Sequence, residues 1–358
     1  MKHNYYYAVG DTVQFKGHEW IIKSRYGNNP EPGYRIYRPE EPDNVITVDE
    51  CSIVKEIKTK PAQVITHSTP KMQYLDYLNT VTSNCRNLMK IGRCLNLLAF
   101  NNELAPAFGR ETEIEKVAKI LLRRTKPNPV LVGPAGVGKT AIVEGYVQSI
   151  VDREKKKSGN FSGPVVFEIS ISSFVGGTKY RGEFEERFER VIKEAKQENV
   201  VLFIDEIHSL IGAGGSGLDD SETADQFIKP YLARGEIKVI GATTTEEFEK
   251  YIKKDKALAR RFHEISVKEI ENKVFVAKAI LNNYSEYFGI DTSEIHVEGF
   301  IDLLTEKKMG VFPDNFIDLV DETLATAKYE GKTKIDNWDM QTVFDSKKSS
   351  MKIKSIGF

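Results

Sequence analysis

Cysteine is scarce in this sequence, and neither sign of charge prevails. Its three cysteines, Cys51, Cys85 and Cys94, are too few and too irregularly spaced for a disulfide framework or a zinc site, so we expect buried thiols. The 51 Lys and Arg residues nearly cancel the 52 Asp and Glu residues. The charge of the whole molecule therefore does not favour nucleic acid or an anionic membrane as a partner.

Long apolar runs are also missing. The first residues, MKHNYYYAVGDTV, lack the apolar segment of a signal peptide, and no window approaches the length of a membrane span. We therefore expect a cytoplasmic protein with no membrane partner. The composition is that of a globular protein, 40% hydrophobic and 29% charged, and the 358 residues predict two domains or three small ones.

The first part of the chain predicts a small β-rich domain over residues 1–57, and a barrel of the SH3 kind is our interpretation. Its short runs of β-forming residues, DTVQF, EWIIKS, YRIYR and VITVDE, are separated by turn clusters such as YGNNPEPG. Residues 58–71 are polar and contain proline, as a linker does. Residues 72–104 predict a helical connector.

From about residue 105 the pattern changes to alternating helix and strand. The runs PVLV, VVFEISI, VVLFID and KVIGAT each suit a strand buried on both faces, and helical stretches separate them. We expect an α/β domain over residues 105–270, with a parallel sheet covered by helices on both faces. A small all-helical domain over residues 271–347 and a tail over residues 348–358 follow.

The strongest motif is the glycine-rich stretch in NPVLVGPAGVGKTAIVEGY, which reads G-x-x-x-x-G-K-[ST] after a predicted strand and opens a helix. Its glycines let backbone N–H groups turn toward phosphates, and the helix N-terminus adds a positive end. Lys139 would reach the β- and γ-phosphates of ATP, and Thr140 would bind Mg²⁺. A structural glycine turn is the alternative. The expected loop residues are Gly133, Pro134, Ala135, Gly136, Val137, Gly138, Lys139 and Thr140.

Two consecutive acids end the strand in VVLFIDEIH. Asp205 would hold Mg²⁺ through its water shell, and Glu206 would be the base that polarises the attacking water. The alternative is a strand that happens to end in acids. The pair favours ATP hydrolysis, because a binding switch needs only the aspartate.

Two weaker signals follow along the chain. KVIGATTTEEF ends a strand with Thr243 and Thr244, where a polar side chain can sense the γ-phosphate or orient the water. KDKALARRFHEI places Arg260 and Arg261 together. By themselves they indicate a solvated basic turn, but after the preceding motifs they favour arginine fingers.

Taken in order, these motifs resemble the AAA+ ATPases of the Clp family, specifically the first ATPase module of the ClpA, ClpB and ClpC type. The resemblance covers about residues 93–330 and includes LNLLAFNNELAPAFGR, GGTKYRGEFEERF, FIDEIHSLIGAGG and FPDNFIDLVDE. It implies an ATPase that forms a hexameric ring and threads protein clients through a central pore, with ATP and Mg²⁺ bound.

The resemblance also implies roles for individual residues near the nucleotide. Gly109 and Arg110 match the segment that packs near the adenine. Thr244 falls at the sensor position. Arg260 and Arg261 match the arginines that reach into the nucleotide site of the neighbouring subunit.

The loop GGTKYRGEFEERF contains one aromatic side chain between two cations, Lys179, Tyr180 and Arg181. By resemblance, Tyr180 is the pore-loop aromatic that grips the translocating chain. A flat apolar ring can contact any side chain or backbone, so such a grip tolerates many client sequences.

Three departures limit what the resemblance implies. The chain carries one ATPase module where the named relatives carry two. A β-rich segment, residues 1–57, stands in place of their helical-repeat domain and is a candidate site for an adaptor or other partner. No coiled-coil insert interrupts residues 265–345. A specialised remodeller is therefore the alternative to bulk disaggregation.

The sequence ends in SIGF. In several Clp unfoldases a similar segment docks to the ClpP peptidase, but from an internal loop. An apolar tail without function is the default interpretation of Ile356, Gly357 and Phe358, and docking to a ClpP-like peptidase is the alternative.

Two other classes of function stay open. A nucleic-acid machine of the helicase-loader or clamp-loader type could stack bases on the aromatic loop, and small β-barrels often bind nucleic acid. The near-zero net charge and the KYRGEFEERF match disfavour it. The other class is a regulatory ATPase whose β-rich domain binds a single partner.

Overall fold

The computed structural model describes most of the chain, and its two compact units comprise residues 1–73 and 74–358. The described residues are 12–15, 18–26, 33–38, 41–49, 69–170, 181–212, 230–232 and 234–356. Cys51, Lys179, Tyr180, Gly357 and Phe358 lie outside these ranges. The expectations for those residues therefore stay predictions.

The described part of the first unit is an antiparallel sheet in the order β1-β2-β3-β4. Its strands are β1 (Thr12–Phe15), β2 (His18–Tyr26), β3 (Gly33–Arg38) and β4 (Glu41–Asp49). Successive side chains of a strand point to opposite faces, which explains why alternate positions are buried. The buried side chains are Trp20, Ile22, Tyr34, Ile36 and Val48. Closure into an SH3-like barrel stays a prediction.

The second unit is built around a six-stranded sheet in the order β10-β6-β9-β8-β7-β5. The pairs from β10 to β7 are parallel, and β5 is antiparallel to β7. The strands are β5 (Gly92–Cys94), β6 (Asn128–Val132), β7 (Val166–Ile169), β8 (Val201–Ile204), β9 (Lys238–Thr243) and β10 (Phe262–Ser266). The predicted α/β fold with a parallel-sheet core is confirmed.

Strand β5 corrects the prediction of helix throughout residues 72–104. Gly92 lies against β7 so closely that a Cβ atom there would be 2.0 Å from the carbonyl oxygen of Glu168. The pairing continues where Ser170 N donates to Ile91 O at 3.1 Å. Three residues give no periodicity, so only the partner strand shows that they extend the sheet. Strand β10 was likewise not predicted.

Helices connect the strands of this sheet. The bounds of those before β10 are α1 (Pro70–Asn84), α2 (Arg86–Ile91), α3 (Leu95–Phe100), α4 (Glu111–Leu121), α5 (Lys139–Glu154), α6 (Arg181–Gln197), α7 (Ile207–Gly212) and α8 (Lys256–Ala259). A short helix, Thr245–Glu247, continues into a π-helical turn, Phe248–Ile252, between β9 and α8.

Four helices with their own apolar core follow β10. They are α9 (Lys273–Phe288), α10 (Val297–Glu306), α11 (Asp314–Tyr329) and α12 (Asn337–Ile356). In α11 the buried Phe316, Leu319, Val320 and Leu324 recur at helical spacing, which gives the helix one apolar face. Helix α12 runs to Ile356, so the residues from 348 that we expected as a tail continue a helix.

The two described cysteines are buried free thiols. Burial raises the pKa of Cys85 to about 12 and that of Cys94 to about 11, so both stay protonated at neutral pH. Within the described ranges, no helix is both long and apolar enough to cross a membrane.

Candidate functional site

A cavity of about 580 Å³ lies where β6, β8 and β9 end. Carboxyl ends of parallel strands share one edge of a sheet, and ligands bind there in open α/β folds. The cavity brings together most of the residues that the sequence assigned to ATP chemistry. Its lining includes Ala135, Gly136, Gly138, Lys139, Thr140, Asp205, Glu206, Thr243, Thr244, Glu247, Pro313, Asp314 and Ile317.

The glycine-rich loop joins β6 to α5 as predicted. Gly136 and Gly138 have φ angles of +74° and +94°, in the left-handed region that favours glycine. Gly138 is the N-cap residue, and α5 begins at Lys139. The first N–H groups of an α-helix have no partner within the helix, so the start of α5 at this cavity is suited to an anion.

The ammonium group of Lys139 lies under the loop. Its Nζ donates to the carbonyl oxygens of Gly133 and Pro134, both at 2.9 Å. Burial lowers the pKa of Lys139 from its ordinary value, and the carboxylates of Asp205, Glu247 and Glu206 oppose that shift. A partly buried cation is stabilised by an anion at its side, which a phosphate would provide.

Thr140 and the two acids meet at the end of β8. Thr140 Oγ1 donates to Asp205 Oδ2 at 2.9 Å, and the Glu206 N–H donates to Asp205 Oδ1 at 2.9 Å. Glu206 has a φ angle of +49°, uncommon for a residue other than glycine, and its exposed side chain lines the cavity. Hydroxyl and carboxylate oxygens suit Mg²⁺, which usually keeps several water ligands. Among the described residues there is no cluster of three or more His, Cys, Asp or Glu that could hold a metal ion.

Thr243, the last residue of β9, and the next residue, Thr244, both donate a hydrogen bond to the Glu247 carboxylate. Thr244 is the N-cap of the short helix, and with Glu247 it forms a capping box. Glu247 Oε2 accepts from the Thr244 hydroxyl at 2.7 Å and from the Thr243 hydroxyl at 3.3 Å. Glu247 was not predicted as a site residue, although the spacing T-x-x-E in the sequence is a signal for this box.

The four-helix region contributes Pro313, Asp314 and Ile317 to the cavity, and these were not predicted as site residues either. A Cβ atom added to Gly136 would lie 2.8 Å from Asp314 Cβ and 3.0 Å from its Oδ2. The loop and the start of α11 are therefore in contact. No local sequence pattern predicts this contact, because the two segments are far apart in the sequence.

Gly136→Ala is expected to lower the free energy of unfolding by about 1–2 kcal/mol, because alanine in the left-handed region is strained and its methyl group would push against Asp314. ATP affinity should fall with it. Thermal unfolding with and without ATP measures both. Gly299→Ala, within α10 and with no atom near its added Cβ, is the matched control and should gain up to about 1 kcal/mol. Equal stability and ATP affinity in Gly136→Ala and wild type would contradict the contact.

Arg110 is buried beneath the loop and does not line the cavity. Its guanidinium donates to the Val137 carbonyl at 2.5 Å and to the Lys268 carbonyl at 2.8 Å, and it pairs with Glu113 at 3.3 Å. Burial lowers its pKa, against the opposing effect of Glu113. Gly109 has a φ angle of +69° and lies against α9, where a Cβ would be 2.8 Å from Val276. Their position near an adenine stays a prediction.

Arg260 and Arg261 lie outside the cavity, at the other end of β6. They precede β10, whose first residue pairs with Asn128 at the start of β6, whereas the loop follows Val132. Buried Asn128 donates to the Arg261 carbonyl at 3.1 Å and accepts from Val239 N at 2.9 Å. Within the described part of the chain, neither guanidinium has a hydrogen-bond or ion-pair partner. A five-residue strand is about 16 Å long, so the arginines are remote from the cavity of their own chain.

Of the aromatic loop, only its end is described, because α6 begins at Arg181. Phe188, Val191 and Ala195 of α6 are buried in the core of the unit. Glu194 of the same helix accepts from the backbone N–H groups of Asn87 (2.9 Å) and Leu88 (3.0 Å) at the start of α2. The helix after the loop is therefore firmly anchored.

A protein family and several curated proteins are similar to this chain. Residues 129–270 match the model of the ATPase family associated with various cellular activities (AAA). The chain is 39% identical to the chaperone protein ClpB of Staphylococcus aureus strain MW2 over 289 residues, 79% of this chain and 32% of that protein. It is 40% identical to the ATP-dependent Clp protease ATP-binding subunit ClpC of S. aureus strain USA300 over 327 residues, 90% of this chain and 38% of that protein.

A solved structure is also similar to this chain. The S. cerevisiae Hsp104:casein complex in its extended conformation matches with a TM-score of 0.60 at 35% identity, covering 69% of this chain and 42% of that one. The chain thus spans 32–38% of the length of the two curated relatives and less than half of this structural neighbour.

Proposed function

Because the chain belongs to the Clp family of AAA ATPases, we propose that it hydrolyses ATP and uses the energy to unfold or remodel protein clients. One observation carries the proposal: Lys139, Thr140, Asp205, Glu206 and Thr244 all line one cavity. They supply the ammonium, hydroxyl and carboxylate groups that transfer of a phosphoryl group to water requires.

Each group has a distinct role in the proposed hydrolysis. Lys139 neutralises charge on the β- and γ-phosphates. Glu206 accepts a proton from the attacking water as the water oxygen bonds to the γ-phosphorus and the bond to the ADP oxygen breaks. Thr140 and Asp205 would hold Mg²⁺, which neutralises phosphate charge.

The proposed working form is a hexameric ring in the cytoplasm, with Arg260 and Arg261 of each subunit completing the site of its neighbour. Polypeptide clients would pass through the pore and be gripped by the loop of Lys179, Tyr180 and Arg181. Similarity to a chaperone and to a casein-bound structure supports protein as the client class.

Tyr180→Ala should keep ring assembly and most basal ATPase activity but lose client unfolding. The substitution removes no group of the ATP site, and alanine offers too little apolar area to hold a chain against backward slip. Tyr180→Phe should retain most unfolding activity, since the grip requires the ring and not the hydroxyl. The measurement compares ATPase rate, thermal stability and unfolding of a fluorescent folded client in the three proteins.

Two results of that comparison would contradict threading. The first is client unfolding by Tyr180→Ala at the wild-type rate. The second is a loss of about 3–5 kcal/mol in the free energy of unfolding, the cost of truncating a large core aromatic, which would identify Tyr180 as a core residue.

Stimulation of the ATPase separates the proposed function from a nucleic-acid machine. Casein as an unfolded protein probe should raise the rate, and single-stranded or duplex DNA should not. Stimulation by DNA alone would overturn the proposal in favour of a nucleic-acid machine. A rate that neither probe changes would instead favour a regulatory ATPase with one partner.

Two finer assignments of partners belong to the same proposal. Residues 1–57 would bind an adaptor, so their deletion should abolish adaptor-dependent work and preserve basal ATPase activity. Ile356, Gly357 and Phe358 would dock a ClpP-like peptidase. Their deletion should then stop client degradation by added peptidase without changing client unfolding, and unchanged degradation would reject that partner.

A further inference from the structure

The Glu247 carboxylate is the meeting point of several donors at the end of β9. Its Oε2 accepts from the Thr244 hydroxyl at 2.7 Å, the Thr244 N–H at 3.1 Å and the Thr243 hydroxyl at 3.3 Å. His208 Nδ1 lies 3.1 Å from the same oxygen. One oxygen atom therefore orients both Thr243 and Thr244.

Glu247 is ionised at neutral pH, so it can only accept hydrogen bonds. Burial acts to raise its pKa, but the hydrogen bonds from the Thr244 side chain and backbone, the His208 charge and the Thr243 hydroxyl together lower it below its ordinary value. The short distance between the Thr244 hydroxyl and Glu247 therefore assigns the hydroxyl proton to that bond. Thr244 Oγ1 also accepts from the Glu247 N–H at 3.3 Å.

One lone pair of Thr244 Oγ1 remains, and this decides what the hydroxyl can bind. A hydroxyl can donate one hydrogen bond and accept two. The Thr244 hydroxyl donates to the Glu247 carboxylate, and one of its two lone pairs accepts from the Glu247 N–H. Phosphate oxygens are acceptors and need a donor, whereas a water molecule can donate to the remaining lone pair. Thr244, oriented in this way, suits the attacking water and not the γ-phosphate.

His208 links the Glu247 carboxylate to the helix that follows the acid pair Asp205 and Glu206. It lies on α7, three residues after Asp205, and its Nδ1 is also 3.1 Å from Thr243 Oγ1. Its ring stacks on Tyr251, with ring centroids 6.0 Å apart and an interplanar angle of 24°. His208 thus connects the end of β8, which supplies the proposed base, to the end of β9.

We propose that Glu247, supported by His208, is a positioning residue that accepts the hydrogen bond of the Thr244 hydroxyl and so leaves Thr244 Oγ1 as an acceptor for the attacking water. The water then gives one proton to Glu206 and directs the other at Thr244 Oγ1. This inference rests on the proposed ATP hydrolysis and adds two residues to it.

The first experiment measures kcat and the affinities for ATP and ADP in Thr244→Val and Thr244→Ser. Valine keeps the shape and loses the lone pair, so kcat should fall about 10²-fold while the ratio of ATP to ADP affinity stays unchanged. Serine should retain most of the wild-type kcat. A fall in that ratio of about tenfold, the loss expected for a hydrogen bond to a charged group, would mean that Thr244 donates to the γ-phosphate and would overturn the inference.

The second experiment removes the acceptor. In Glu247→Ala the freed hydroxyl can donate to the γ-phosphate, so kcat should fall while the ratio of ATP to ADP affinity rises. The double variant Glu247→Ala with Thr244→Val separates this effect from the lost charge. If the Thr244 hydroxyl causes the rise in the ratio of ATP to ADP affinity, the double variant should not show it. A rise of the same size in the double variant would contradict the inference.

Variants of His208 test whether this residue positions the Glu247 carboxylate. His208→Ala should lower kcat several-fold with an unchanged KM for ATP. His208→Asn should restore it, because the asparagine amide can donate from about the position of Nδ1. Glu249→Ala is the matched control, since that acid follows two residues later, pairs with Lys253 and does not line the cavity.

The outcomes distinguish this inference from the proposed function. Absence of ATPase activity in the wild-type protein would contradict both the proposed function and this inference. If wild type hydrolyses ATP and Glu206→Gln does not, but Glu247→Ala and His208→Ala keep the wild-type kcat, the inference alone fails. Thermal unfolding identifies a variant that does not fold, and the two Thr244 variants remain decisive in that case.

Discussion

Glu206→Gln is expected to stop ATP turnover while ATP binding stays intact. The substitution removes the proposed general base, whose loss typically costs 10²- to 10⁴-fold in rate. Lys139, Thr140 and Asp205 keep their contacts, because only the Glu206 backbone N–H bonds to Asp205. Steady-state ATPase measurements and a direct ATP-binding titration check the two halves of the result, and the ATP-bound ring should accumulate.

The matched control for this prediction is Glu246→Gln, an exposed acid outside the cavity. It should retain wild-type turnover, since it makes no contact with the proposed base. Near-normal turnover in Glu206→Gln would show that another group activates the water. Weak ATP binding would instead show that Glu206 helps to hold the nucleotide.

Arg261→Ala should lower ATPase activity about 10³- to 10⁵-fold, the cost of losing an arginine finger in known NTPases. The effect should arise in the neighbouring subunit, because Arg260 and Arg261 lie at the end of β6 opposite their own loop. Mixing Arg261→Ala with Lys139→Ala subunits should restore activity. At some interfaces the intact arginine of one variant then faces the intact nucleotide site of the other.

Two observations would exclude a finger acting in trans. One is a mixture no more active than its separate components, since a finger acting within its own subunit cannot be complemented. The other is an unchanged wild-type rate per subunit after dilution to demonstrated monomer. Lys256→Ala on the neighbouring α8 is the matched control, because it removes an exposed cation and leaves the arginine pair in place.

The residues of the phosphate loop and the acid pair could be identified from the sequence because their chemistry is local. A phosphate loop needs glycines with positive φ, a lysine and a hydroxyl at fixed spacing, and all are contiguous from Gly133 to Thr140. Asp205 and Glu206 directly follow a buried strand, so their arrival at the same sheet edge follows from the parallel fold.

The sequence by itself determined the α/β class, the phosphate loop and the family, because each depends on contiguous residues or on motifs in fixed order. Only the tertiary structure decided that Gly92–Cys94 joins the sheet and that Asp314 touches Gly136. It alone showed that the Thr244 hydroxyl lies 2.7 Å from Glu247 Oε2 and that His208 lies beside the same carboxylate. The contacts of Gly92, Asp314 and His208 join segments that are distant in the sequence, so no local propensity or periodicity encodes them. The T-x-x-E spacing is a local signal for the bond between Thr244 and Glu247, but only the fold brings that pair to the cavity.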